Sequence, residues 1–248
     1  NGKGAGASIV VPMLHRQGIA QIEKVLISHH HLDHAGGLIG VLRAMPATHL
    51  MGDHGYPQFN SEPCQTGQRW RWDEYDLQIL HPSDSTVDAG SENKRRTASK
   101  SRFSHGANSG NDGSCVLRIS GPGGSVLLPA DIELSTEAKL LSRSRDTLRS
   151  DVLLVPHHGS RTSSTRSFLL AVRPTLAINS SGHRNRFSLP AADVVARYRT
   201  LNIPFLDTAC SGALHVQLRA GRPPQVSHWR QTQLRFWHTR DRLAHCED

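Results

Sequence analysis

The stretch Leu26-Ile-Ser-His-His-His-Leu-Asp-His-Ala-Gly-Gly37 decides how this sequence is interpreted. Four of its side chains fit the pattern His-x-His-x-Asp-His: His29, His31, Asp33 and His34. Imidazole nitrogens together with a carboxylate suit zinc, manganese or iron rather than calcium. A solvated histidine cluster or an expression tag is the plainer alternative, but neither is expected between a buried strand and an amphipathic helix. The pattern therefore predicts a metal site.

The flanking residues predict how the chain presents these ligands. Residues 25–27 are apolar and mostly β-branched, which is typical of the end of a buried strand. Residues 35–45 have the apolar spacing of a helix. Gly36 and Gly37 weaken that helix but let the chain turn closely past a bound ion. Alternate loop residues point the same way, so His29 and His31 are expected to face one ion.

Asp33 and His34 come one turn later in the chain and are expected to face a second ion. Three further residues have suitable chemistry at the ends of apolar strands: Asp131, His157 and His158. Ligands on several strand ends that meet at one sheet edge are a common way to build an α/β active site. A carboxylate such as Asp131 can also bridge two cations. The plainer alternatives are that Asp131 caps the next helix and that the two histidines form a polar loop.

The pattern along the rest of the chain predicts an α/β fold, because strands and helices alternate. Helices are predicted at 7–17, 134–143, 162–172 (with Ser163 or Ser164 as N-cap) and 190–201, the last opened by Pro190. Strands are predicted at 48–51, 77–80, 151–158, 176–178, 205–206 and 213–218, and a hairpin at 115–131.

Composition limits the classes of function. The chain has 248 residues, enough for one sizeable domain, and its 29 Lys+Arg against 21 Asp+Glu give a net charge of +8. This balance favours a polyanionic partner, either nucleic acid or an anionic membrane surface. We predict a domain over 1–222 with a basic, mobile loop at 83–110, and a basic, aromatic tail over 223–248. The tail is expected to cap the domain, with nucleic-acid or membrane contact as the alternative.

The spacing of the four cysteines indicates neither a disulfide pairing nor a zinc site. Cys64, Cys115, Cys210 and Cys246 are widely spaced, and Cys115 lies in a strand pattern that predicts a buried apolar residue. The redox compartment is therefore left open. The sequence shows no signal peptide and no apolar run as long as a membrane-spanning helix.

Three segments together resemble the metallo-β-lactamase superfamily: His29-x-His31-x-Asp33-His34-x-Gly36-Gly37, Ala130-Asp131 and Pro156-His157-His158-Gly159-Ser160. A finer pattern resembles the C-terminal domain of ComEC-like DNA-uptake proteins. It comprises Asn111-Asp-Gly-Ser114-Cys-Val-Leu, the run around Asp131-Ile132-Glu133, Val155-Pro-His-His-Gly-Ser-x-Thr162-Ser-Ser164, and Arg184-Asn-Arg-Phe187 followed by Pro190.

The resemblance implies an αββα sandwich that is N-terminally truncated in this chain, because the superfamily's initial Asp-containing strand is missing. It also implies one or two zinc or manganese ions. His29 and His31 would hold the first ion, Asp33, His34 and one of His157 and His158 the second, and Asp131 would bridge them. We take His158 as the ligand.

The resemblance also implies further roles. Asp33 and His157 are expected to take part in catalysis, and Ser160, Thr162 and Arg184 to bind substrate. Ser160 and Thr162 have helix capping as an equal alternative, and Arg184 has that of an ordinary exposed loop residue. No organic cofactor is expected.

The function implied is a metal-dependent phosphodiesterase that acts on the DNA strand that is not imported. Its partners would be single-stranded DNA and the membrane channel domain of the same full-length protein. That protein would lie in the inner membrane, with this domain facing the periplasm. Two alternatives stay open: a DNA-binding or structural module whose catalysis has decayed, and a hydrolase of small esters or lactams.

Two departures from the superfamily pattern bear on activity. A further histidine is expected before the bridging aspartate, and its place falls near Asn111 and Asp112. Asp112 is the first candidate to replace it, ahead of His81 and His105. The residue before Asp131 is usually glycine, whereas this chain has Ala130, whose methyl group restricts a positive φ.

Overall fold

The computed structural model describes residues 4–52, 59, 61–82 and 110–232. The predicted mobile loop 83–110, except for its last residue, and His105 lie outside the described residues, as does most of the predicted tail. The chain divides into two compact units: a first unit of residues 1–68 and 79–116, and a second unit of residues 69–78 and 117–248.

Strands and helices alternate along the chain, which confirms the predicted α/β class. The strands are β1 (Ile22–Ile27), β2 (Ala47–Gly52), β3 (Glu62–Pro63), β4 (Arg69–Trp72), β5 (Tyr75–His81), β6 (Val116–Gly121), β7 (Gly124–Leu128), β8 (Val152–Leu154), β9 (Leu176–Asn179), β10 (Phe205–Asp207), β11 (Leu214–Gln217) and β12 (Gln225–His228). The helices are α1 (Val11–Arg16), α2 (Leu32–Ala35), α3 (Leu38–Ala44), α4 (Leu134–Ser144), α5 (Arg166–Val172), α6 (Ala192–Thr200), α7 (Thr208–Ser211) and α8 (Trp229–Thr232). No described helix has the length and apolar character needed to span a bilayer.

The first unit contains a three-stranded parallel sheet in the order β1-β2-β3. Its small core joins Ile27 of β1 and Leu50 of β2 to Leu38 of α3. The helix predicted over 35–45 is observed as α3, which begins only at Leu38; the short helix α2 precedes it, and Gly36–Gly37 lie between the two. A Cβ atom on Gly6 would lie 1.9 Å from the carbonyl oxygen of Gly37, so this break accommodates a close backbone approach by the N-terminal segment.

The second unit contains most of a seven-stranded sheet in the order β10-β9-β8-β7-β6-β5-β4. Strands β7 to β10 pair in parallel, so their carboxyl ends share one edge of the sheet. The strand centres are buried, as Leu127, Leu153 and Ala177 are each 0% exposed. This edge of the sheet carries the second group of predicted ligands.

Two predicted helix starts are wrong. Helix α5 begins at Arg166, and its N-cap is Thr165, whose hydroxyl accepts a hydrogen bond from the Phe168 amide at 3.3 Å, rather than Ser163 or Ser164. Helix α6 begins at Ala192, two residues after Pro190. Both shifts arise from tertiary contacts made by the segments that precede the helices.

Candidate metal centre

The first ligand group follows β1 directly. His29 is 0% exposed, His31 is the N-cap of α2, and Asp33 and His34 lie on that helix. The short helix places Asp33 at the surface and His34 half-buried, with 3.9 Å between Asp33 Oδ2 and His34 Nε2. The predicted strand end is confirmed, and the helical turn α2 begins at Leu32, three residues before the predicted helix start.

Serine hydroxyls orient two of these histidines. Ser28 Oγ lies 3.0 Å from His34 Nδ1 and 3.3 Å from His29 Nδ1, and Ser114 Oγ lies 3.3 Å from His29 Nδ1. The His29 and His34 rings are 4.1 Å apart between centroids. Contacts through Nδ1 direct the Nε2 atoms toward a ligand, which is the usual arrangement of metal-binding imidazoles.

His29 and His31 have fewer potential co-ligands than Asp33 and His34. Their rings are 4.6 Å apart, but among the described residues no group of three or more ligand-type side chains includes either of them. The proposed substitutes Asp112 and His81 are neighbours, and a role for either beside His29 and His31 stays a prediction. Asp112 lies in a 3-10 turn, and His81 Nε2 donates a 2.8 Å hydrogen bond to the Asp112 carbonyl.

The second ligand group lies at the carboxyl ends of β7 and β8, on strained backbone. Ala130 has φ +53°, a left-handed conformation, at the position where the superfamily usually has glycine. His157 and His158 also have positive φ, +47° and +52°. The His157 amide donates a 3.0 Å hydrogen bond to the Ala130 carbonyl, which ties the two turns together. Such backbone is uncommon in non-glycine residues and tends to occur at functional sites.

His158 is oriented as a metal ligand would be. Its Nδ1 donates a 2.7 Å hydrogen bond to the Ser180 carbonyl, because a carbonyl oxygen can only accept. This fixes the ring so that Nε2 faces Asp131, whose Oδ2 lies 3.5 Å away and whose side chain is 6% exposed. The hydrogen bond is of the kind that orients metal-binding imidazoles.

His157 has different neighbours. Its Nδ1 lies 3.3 Å from Glu133 Oε1 and 3.1 Å from Thr162 Oγ1. The ring is therefore held against the carboxylate of Glu133, at the start of α4, and the hydroxyl of Thr162, in the segment before α5. This contrast distinguishes two adjacent histidines that the sequence could not separate.

The spacing of the second group fits a metal ion. Two ligand bonds of about 2.1 Å at a tetrahedral angle separate their donor atoms by roughly 3.4 Å, close to the 3.5 Å between His158 Nε2 and Asp131 Oδ2. The candidate metal ligands that the described residues offer are Asp33 and His34 in the first unit, and Asp131 and His158 in the second. Imidazole and carboxylate donors of this kind suit zinc and manganese.

The predicted substrate-binding residues lie in two loops of the second unit. Ser160 Oγ is 3.1 Å from Thr162 Oγ1, and neither hydroxyl caps α5. Arg184 is exposed and has φ +51°. It belongs to the loop 180–190, in which the Asn185 side chain hydrogen-bonds the Leu189 amide and carbonyl at 3.0 and 2.6 Å.

The structure corrects the interpretation of the cysteines. Cys64 and Cys115 form a disulfide across a sequence separation of 51, with Cα atoms 5.9 Å apart. Cys115 is buried, as predicted, but as half of a covalent cross-link rather than as a simple apolar residue. Its amide donates a 2.8 Å hydrogen bond to the Ser28 carbonyl, so the disulfide adjoins the two serines that orient His29.

Sequence reasoning missed four other contributors. Ser28 directly precedes the histidine run, and Ser114 lies in the motif Asn111-Asp-Gly-Ser114. Their positions could therefore have suggested that both contact the site. The Ser180 carbonyl carries no sequence signal, because every residue has one. Glu133 lies in the motif that contains Asp131, but the sequence did not indicate that its carboxylate contacts His157.

The fold and the ligand pattern are those of an α/β domain with a candidate metal site, and the sequence comparison establishes the family. The chain matches the metallo-beta-lactamase superfamily over residues 2–183, and it belongs to that superfamily. It is similar to Competence protein ComA of Neisseria gonorrhoeae, with 34% identity over 86% of this chain and 28% of the relative. It is also similar to Recombination protein 2 of Haemophilus influenzae, with 32% identity over 84% of this chain and 24% of the relative.

The chain thus spans about a quarter of the length of these curated relatives. Among solved structures, the metallo-beta-lactamase fold protein YhfI from Bacillus subtilis matches with a TM-score of 0.47 and 11% identity, covering 82% of this chain and 80% of that one. The resemblance to competence proteins predicted from the motifs is confirmed by the curated relatives.

Proposed function

We propose that this chain is a metal-dependent phosphodiesterase domain of a DNA-uptake protein and that it acts on the DNA strand that is not imported. The observation that carries the proposal is the pairing of His158 with the buried Asp131 at 3.5 Å, with His158 oriented by the Ser180 carbonyl. A buried carboxylate and an oriented imidazole on strained strand ends are the chemistry of a metal centre rather than of a folding core.

The proposed ligands of one or two zinc or manganese ions are His29, His31, Asp33, His34, Asp131 and His158. A divalent ion held there supplies Lewis-acid stabilisation of charge on a phosphoryl oxygen and lowers the pKa of water. Of the two ions that the superfamily resemblance implies, we expect the one with Asp33 and His34 among its ligands to bind more strongly. His29 and His31, which no third described ligand joins, would bind a second ion more weakly.

The protein's own groups would act around the reacting phosphate. Glu133 and Thr162 contact His157 through Nδ1, and this imidazole is the proposed group that exchanges a proton with the substrate. The Asp33 side chain is 62% exposed and is therefore accessible to substrate. Ser160 and Arg184 are the proposed contacts to the DNA backbone.

Three further observations support DNA as the substrate and an outward-facing location. The net charge of +8 favours a polyanion. The curated relatives include a competence protein, and competence is the capacity of cells to take up DNA. The Cys64–Cys115 disulfide favours an oxidising compartment such as the periplasm. We propose that the full-length protein resides in the inner membrane and that its channel domain is the partner of this one.

A second candidate is a DNA-binding module whose catalysis has decayed. It is favoured by Ala130, which keeps a positive φ at a cost that glycine would avoid, and by the weaker ligand set around His29 and His31. Hydrolysis of small esters or lactams, as elsewhere in the superfamily, is a third.

One set of assays separates these candidates. Labelled single- and double-stranded DNA are incubated with the protein and manganese or zinc, beside the Asp33→Ala variant. A thioester and nitrocefin are tested in parallel. We expect metal-dependent DNA cleavage that Asp33→Ala abolishes. DNA binding that depends on salt, without cleavage and with well below one ion per chain, would instead support the decayed module. Turnover of the small substrates alone would support the third candidate.

A further inference from the structure

A buried carboxylate in the second unit contacts the segment that follows the two histidines. Glu137 lies on α4 and is 0% exposed. Its two oxygens accept hydrogen bonds from the Ser164 amide at 2.5 Å and the Thr165 amide at 2.8 Å. Because both oxygens accept from N–H donors, the ionised carboxylate is the form that satisfies this arrangement.

Helix α6 holds the same segment from another direction. The Arg197 guanidinium donates to the carbonyls of Ser163 and Ser164 at 3.0 and 2.5 Å. The Tyr198 hydroxyl lies 3.0 Å from Ser164 Oγ. Ser164 has φ +58°, a left-handed conformation that is unfavourable for an L-residue. This cost is offset by the contacts that converge on the residue.

Ser163 connects this segment to the histidine turn. Its hydroxyl contacts the carbonyls of Pro156 at 2.9 Å and Ser160 at 3.1 Å, the residues on either side of His157 and His158. Its amide also donates to the Ser160 carbonyl at 3.1 Å. A displacement at Ser164 would therefore be transmitted to the backbone that carries both histidines.

Helix α4 also begins just after Asp131, with Glu133 as its N-cap residue. The same helix thus follows the aspartate at its start and holds the histidine turn through Glu137, one turn further along. We propose that Glu137, supported by Arg197, is a positioning residue that sets His158 against Asp131 for metal binding. This inference rests on the proposed metal centre and assigns Glu137 no contact with substrate or ion.

Burial raises the pKa of Glu137, while the hydrogen bonds from Thr165 and Ser164 and the charge of Arg197 work in the opposite direction. The charge on Arg197 and the amide donors are thus matched to a carboxylate. An amide in its place would direct an NH2 group toward one of the two backbone N–H donors. Glu137→Gln therefore removes the interaction with almost no change in side-chain volume.

The test compares Glu137→Gln with Leu140→Ala, a matched control on the same helix. Leu140 is 2% exposed and its apolar side chain has no hydrogen-bonding group, so its truncation lowers stability without removing a hydrogen bond to the turn. Amide hydrogen exchange of metal-free protein is followed by mass spectrometry over residues 156–163. We expect exchange in this segment to accelerate at least tenfold in Glu137→Gln, beyond the change in global stability, and to follow global stability alone in Leu140→Ala.

Equal protection of residues 156–163 in the two variants at matched stability would overturn the positioning role. Should Glu137→Gln fail to fold, Tyr198→Phe, which removes only the hydroxyl beside Ser164, is expected to accelerate exchange in the same segment by a smaller factor. No change there would overturn the proposal equally.

Manganese affinity provides the second readout. We expect Glu137→Gln to weaken manganese binding at least tenfold, as loss of groups that orient ligands commonly does, and Leu140→Ala to leave it within twofold. Accelerated exchange with unchanged affinity would refute the link to metal binding. A wild-type chain that binds no metal would refute the proposed function, while the exchange result would still decide whether Glu137 positions the turn.

Discussion

Removal of the Cys64–Cys115 disulfide is expected to destabilise the first unit substantially. The cross-link joins residues with a sequence separation of 51. Loop-closure entropy for a loop of this length corresponds to about 4 kcal/mol of stabilisation. For a chain of this size, each kcal/mol corresponds to roughly 2–4 °C in melting temperature, so a loss of about 8–16 °C is expected.

The assay is thermal and urea unfolding of the Cys64→Ala/Cys115→Ala double variant beside the wild type, both without reductant. The variant is preferable to reduction of the wild type, because Cys210 is disulfide-bonded as well. Thiol titration of the unfolded wild type confirms that the cross-link is formed. A loss below 1 kcal/mol with the disulfide intact in the wild type would refute the reasoning.

The same variant tests a link between the disulfide and the first ligand group. Cys115 adjoins Ser114, which contacts His29, and its amide is bonded to the Ser28 carbonyl. We therefore expect the folded double variant to bind metal more weakly than the wild type at a temperature where both are native. Unchanged affinity would mean that the cross-link stabilises the fold without ordering these serines.

Three further predictions concern single residues. Ala130→Gly should raise the free energy of unfolding by about 0.5–1 kcal/mol, because relief of the left-handed conformation exceeds the additional backbone entropy that glycine loses on folding. Urea titration measures this change, and a lower free energy of unfolding in the variant would contradict the strain argument. Ser28→Ala should weaken manganese binding about tenfold. The control Ser142→Ala, which removes a hydroxyl bonded to an exposed carbonyl on α4, should leave it unchanged. Equal affinities of the two variants would mean that Ser28 does not orient a metal ligand. His158→Ala should lose bound metal, whereas His157→Ala should retain the metal and cleave DNA about a hundredfold more slowly. Metal analysis that shows the reverse would mean that His157, and not His158, is the metal ligand.

Local sequence signals predicted the elements that carry the ligands. The apolar runs before His29, Asp131 and His157 gave β1, β7 and β8, because buried strands require continuous apolar side chains. The motif was visible because four side chains of metal-ligand type lie within six consecutive residues. Ala130 was identified because the family pattern usually has glycine at this position. Its positive φ is the physical reason why glycine is usual there.

Contacts between distant residues account for what the sequence did not reveal. The cap of α5 falls on Thr165 because Glu137, 28 positions away, binds the Thr165 amide and holds Ser164 in a turn. The disulfide joins cysteines with no characteristic spacing. The choice between His157 and His158 depends on the Ser180 carbonyl, which no residue type encodes.

The central claim is that Asp131 and His158 belong to a metal centre that hydrolyses phosphodiester bonds. The most direct measurement is the initial rate of cleavage of labelled single-stranded DNA as a function of manganese concentration, for the wild type and Asp131→Asn. We predict a saturable dependence on manganese in the wild type and a rate at least a hundredfold lower in the variant. A wild-type rate that is independent of manganese, or an equal rate in Asp131→Asn, would contradict it.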